Sequence, residues 1–91
     1  MLAPEKRQHL HNEAVHELES AVAPASRHFW EVTVSEDLEV RWASKLHHAF
    51  VIRVTGGYKV HKLSGSLSAQ QHQMWSSIPT LEYALGLGEF A

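Results

Sequence analysis

The sequence predicts an α+β domain: an N-terminal helix packed on a four-stranded antiparallel meander sheet, followed by one or two short C-terminal helices. Three observations carry this expectation. Beyond Pro4, the chain to Val22 holds no glycine or proline and repeats apolar side chains at helical spacing. From Phe29 to Leu63 the period changes to two, interrupted by short polar turns, and after Gly65 it returns to helical spacing. Ninety-one residues, 44 % apolar and 20 % charged, suffice for one modest core, so residues 1–91 are expected to form a single α+β domain.

Pro4 suits the first turn of a helix, and Glu5 lies near the positive end of its dipole. On a helical wheel Leu10, Ala14, Leu18, Ala21 and Val22 share one side, while His9, Glu13, His16 and Ser20 occupy the other. Pro24 stops this helix, and 23–27 connects it to the sheet. In the first strand Trp30, Val32 and Val34 alternate with Glu31 and Thr33; Ser35-Glu36-Asp37 forms a hairpin turn; Leu38, Val40 and Trp42 then continue the apolar face. The third strand offers its bulkier side, Phe50, Ile52 and Val54, to that face. Thr55-Gly56-Gly57 turns the chain into a fourth strand, Tyr58 to Leu63. Ser68, with Gln71 three residues on, predicts a capped helix that ends before Pro79, and Thr80 caps a last helical turn from Leu81 to Leu85, before Gly86 and Gly88 loosen the chain.

The absence of cysteine excludes thiolate metal sites, thiol catalysis and disulfides. No apolar run is long enough to span a membrane and the N-terminus lacks the apolar core of a signal peptide, so no membrane partner and a cytoplasmic location are expected. Neither a nucleophile elbow, nor a phosphate-cradling glycine loop, nor a paired-carboxylate string occurs. The expectation is therefore a protein that is not an enzyme, with no catalytic residues and no cofactor. Eight histidines invite a metal reading, and the best local grouping is His9, Glu13 and His16, spaced four and three apart on one helix face. A small histidine-based metal-binding protein is accordingly one alternative. His47 and His48 are adjacent, and in a strand they point to opposite faces.

Charge is segregated along the chain. Residues 1–39 hold eight of the ten acids, whereas 40–81 contain none, with Arg41, Lys45, Arg53, Lys59 and Lys62 joined there by four histidines. A nucleic-acid-binding surface made by Arg41, Arg53, Lys59, His61 and Lys62 is therefore a second alternative. Against it, Trp42 and Phe50 are expected in the core, which removes a stacking platform, and Glu31 and Glu39 offset the cations. The order helix, strands, helix resembles a double-stranded-RNA-binding domain, but Ser68-Ala69-Gln70-Gln71-His72 stands where that family begins its second helix with lysines, so membership is not assigned.

The preferred expectation is a small protein-binding domain, of the kind that serves as an inhibitor, immunity-type or accessory protein, including those carried by phages and mobile elements. Its partner is another protein or a second copy of itself. Trp75, Tyr83, Leu87 and Phe90 are the expected contact residues, because the C-terminal segment carries more apolar side chains than one end of a small sheet needs. An exposed last strand, able to pair with a partner's strand, offers a second route to the same function.

Overall fold

An 18-residue helix, α1 (Pro4–Ala21), and a 3-10 turn (Pro24–Phe29) lead into strands β1 (Trp30–Val34), β2 (Val40–Ser44), β3 (Ala49–Val54), β4 (Gly57–Ser64) and β5 (Gln71–Ile78), and α2 (Leu81–Phe90) follows. This computed structural model describes residues 4–64 and 71–90. The strands form one antiparallel sheet in chain order, β1-β2-β3-β4-β5. The class is α+β as the sequence predicts, but the sheet has five strands, not four. The segment expected as a second helix is β5, and Ser68, its expected cap, lies outside the described residues.

A bulge explains why β5 imitates a helix. Tyr58 pairs with Ile78 and Val60 with Trp75, so β5 uses three residues where β4 uses two. Ser77 sits there at a φ of 59°. The extra residue brings Trp75 and Ile78 onto the same face although they are three apart, which is a helical spacing.

β3 also departs from expectation. Val32, Trp42, Val51, Val60 and Trp75 form one register row across all five strands, and Trp42, Val51 and Val60 are fully buried in it. Ala49 and Val51 therefore face the helices, while Phe50, Ile52 and Val54 lie on the opposite face. Volume accounts for the inversion. The space under the helices is filled by Trp30 and Trp42, and α2 comes down so closely that a Cβ on Gly88 would lie 3.4 Å from both Ala49 Cβ and Trp30 Cη2. A larger side chain at Ala49, which is buried, would press against α2 and Trp30. Ile52, 8 % exposed, is registered between Arg41 and Lys59, whose methylene stems suit an apolar neighbour.

Both helices lie on the Trp42 face. α1 buries Ala14 and Leu18, with Leu10, Ala21 and Val22 packed at the margin. Polar contacts fix it: Trp42 Nε1 donates to the Ala14 carbonyl at 3.1 Å, Arg7 Nη2 to the Val34 carbonyl at 3.0 Å, and Glu17 pairs with Arg53 and accepts from Tyr58 Oη at 3.3 Å. α2 is longer than expected. Thr80 Oγ1 accepts from Tyr83 N at 3.2 Å as its cap, and Gly86 and Gly88 remain helical instead of loosening the chain. Leu81, Ala84 and Leu85 complete the core. No helix among the described residues is long and apolar enough to cross a membrane.

Candidate functional site

With both helices on one side, the other face of the sheet carries no element among the described residues. Its central row is Glu31, Ala43, Phe50, His61 and Met74, one residue from each strand. Four side chains connect across it. The Arg41 guanidinium lies 5.0 Å above the Phe50 ring centre, and Phe50 stacks on His61 with ring centres 4.9 Å apart and planes 16° apart. His61 Nδ1 is 2.9 Å from His72 Nε2, with ring centres 5.1 Å apart and planes 8° apart. Stacked faces approach no closer than about 3.5 Å. The two imidazoles must therefore lie edge to edge in nearly one plane, joined by an in-plane hydrogen bond.

A groove of about 560 Å³ opens beside this pair, lined by Phe50, His61, His72 and Leu63 and walled by His47 and His48. Ser44 shapes the wall, because its Oγ accepts from Leu46 N at 3.2 Å and His47 N at 3.0 Å and so folds the loop after β2. In a loop the strand alternation does not apply, so His47 and His48 both line the groove, contrary to the expectation from their adjacency. Burial, then the positive potential of His72, Lys59 and Arg41, holds the His61 imidazolium below its ordinary pKa.

The cations proposed for nucleic acid do not share one surface. Arg41, Lys59 and His61 lie on the open face, but Arg53 lies on the helix side, bound to Glu17, and Lys62 shares the side of Val60 by strand alternation. Arg41 is engaged by Glu39 at 2.7 Å. Phe50, expected in the core, is on the open face, so aromatic surface is present there after all.

The metal grouping is not assembled. His9 Nε2 contacts Glu13 Oε1 at 3.0 Å, but His16 turns to Glu19 at 3.7 Å, and among the described residues no three metal-ligating groups converge. Of the expected contact residues, Trp75 and Leu87 pack against the core, while Tyr83 is 59 % exposed. Phe90 closes α2, and its side chain lies outside the described residues. Sequence reading missed β5 and hence His72. The available signal was the acid-free run from 40 to 81 with its four histidines, all of which reach this groove.

Comparison with protein families, with characterised proteins and with solved structures finds no match.

Proposed function

We propose that the protein is a binding domain that receives an extended segment of another protein along the outer edge of β5, which pairs with no further strand among the described residues. The observation that carries this reading is the edge itself. β5 is the last strand of the sheet, eight residues long, and Gln71-His72-Gln73-Met74-Trp75-Ser76-Ser77-Ile78 contains no proline and no lysine, arginine, aspartate or glutamate. Edge strands are ordinarily protected by such charges, by proline or by bulges, and here the bulge covers only the end near Ser77. The backbone from Gln71 to Trp75 is a template for strand addition.

The adjoining surface suits a protein segment better than a phosphate backbone. Met74 is 53 % exposed and Leu63 43 % exposed, and both stand beside the histidine pair. Methionine, arginine and aromatic groups are the side chains enriched at protein interfaces. Two of the five cations proposed for nucleic acid, Arg41 and Arg53, are already paired with carboxylates.

The test is capture of partners by the tagged protein from its host, with and without nuclease, alongside Met74→Lys. A lysine at the centre of the edge blocks strand addition without touching the core. Loss of a captured protein by about tenfold, a change of about 1.4 kcal/mol, with an unchanged melting temperature supports the reading. Self-association abolished by the same substitution supports it with a second copy as the occupant. Equal capture by parent and variant overturns it, as does capture that disappears with nuclease.

A further inference from the structure

We propose that the His61–His72 pair is an oxyanion site, which takes up one proton together with a carboxylate or phosphate group in the groove beside it. The in-plane bond fixes the chemistry. In the neutral pair one hydrogen lies between His61 Nδ1 and His72 Nε2. Of the two remaining ring nitrogens, His61 Nε2 and His72 Nδ1, one then carries a hydrogen and the other a lone pair. Adding one proton leaves the inner bond in place and makes both remaining nitrogens donors. A second proton would set two N–H groups against each other across 2.9 Å, so the pair's capacity is one. The singly protonated pair is a cation with a donor at each end, beside a groove of about 560 Å³.

The charged groups around the pair explain why the proton arrives with an anion. Lys59 lies on β4, Arg41 on β2, and His47 and His48 on the groove wall. Lys62, next to His61 in sequence, borders the groove along β4 but projects on the side of Val60. β3 contributes Phe50, which is neutral, and the nearest acids on this face, Glu31 in the same row on β1 and Glu39 engaged by Arg41, lie toward the β1–β2 edge. Proton uptake is therefore opposed by like charges until an anion compensates them, and by linkage proton and anion each strengthen the binding of the other. This site needs no strand on β5, so its test is separate from that of the edge.

The experiment follows the imidazole resonances of all eight histidines by NMR across the acid range, in chloride, in acetate and in inorganic phosphate at equal ionic strength. The expected result is one proton taken up by the pair, with its midpoint raised by about half a pH unit in acetate or phosphate relative to chloride. That shift is a threefold preference of the anion for the protonated pair. A larger effect of phosphate identifies a phosphate group as the better ligand, and a larger effect of acetate identifies a carboxylate. His72→Gln, on an exposed edge, should abolish the anion dependence at His61. Midpoints that coincide in the three salts, an equal displacement of all eight imidazoles, or an effect that survives His72→Gln would each overturn the proposal.

Discussion

Trp42 Nε1 donates a hydrogen bond of 3.1 Å to the carbonyl of Ala14, tying the largest fully buried side chain of the sheet to the middle of α1. Trp30, the other buried tryptophan, has an indole N–H with no partner among the described residues. The two rings therefore respond differently to the same change. Trp42→Phe loses a buried hydrogen bond as well as ring volume and is expected to cost about 2 to 4 kcal/mol. Trp30→Phe loses volume but also removes an unsatisfied donor, and is expected to cost less. Urea midpoints of the two variants check this, and an equal or reversed order would count against it.

Leu18 is 5 % exposed at the centre of the apolar stripe of α1. Leu18→Ala is expected to cost about 2 to 5 kcal/mol, a large share of the stability of a domain this small. A midpoint within error of the parent would mean that the helix contributes little to the core.

Glu17 accepts from Tyr58 Oη at 3.3 Å and pairs with Arg53, whose guanidinium lies 5.7 Å from the Trp42 ring centre. Burial first, and then the Glu17 carboxylate, raises the Tyr58 pKa. A raised phenol pKa gives stability that is complete below the ordinary value of about 10 and is lost as pH rises through the folded-state value. Glu17→Gln should cost about 1 kcal/mol near neutrality, because the ion pair is partly exposed. It should also bring the Tyr58 titration down, though not fully, since burial remains. A urea midpoint reads the first effect and phenolate absorbance against pH the second, and an unmoved Tyr58 titration would remove Glu17 as a cause.

His61 gives the opposite dependence. Its imidazolium is disfavoured by burial and by His72, Lys59 and Arg41, so the folded protein holds that proton less tightly than the unfolded chain. Its contribution to stability is intact above the ordinary imidazole value of about 6.5 and declines as pH falls from there toward the folded-state value. In chloride, His61→Phe should flatten the loss of stability as pH falls below about 6.5 while extending the Phe50 stack. Denaturation midpoints of equal slope in parent and variant would assign the acid sensitivity elsewhere.

Local periodicity made α1 legible, since Leu10, Ala14 and Leu18 lie on one side whatever they pack against, and the β1–β2 hairpin likewise. The side chosen by β3 was not legible. Bulk favours Phe50 and Ile52, but the choice depends on the distance of α2 from Ala49, a tertiary quantity. β5 was hidden because a bulge spaces Trp75 and Ile78 as a helix does. The open-face site suffered from both errors: the first placed Phe50 inside, and the second put His72 on a helix. The surface charge pattern was visible, while the pairings of Arg41 with Glu39 and Arg53 with Glu17 required the register and the helix position.

The bulge also makes the number of residues between Trp75 and Pro79 a requirement in its own right. Deleting Ser77 would turn either Trp75 or Ile78 out to solvent and rotate the start of α2, including its Thr80 cap, by about half a strand repeat. Exchanging Ser76 for another polar side chain should be nearly silent, whereas shortening the segment by one residue should unseat Leu81, Ala84 and Leu85 together. At this corner the chain tolerates changes of chemistry far better than changes of length.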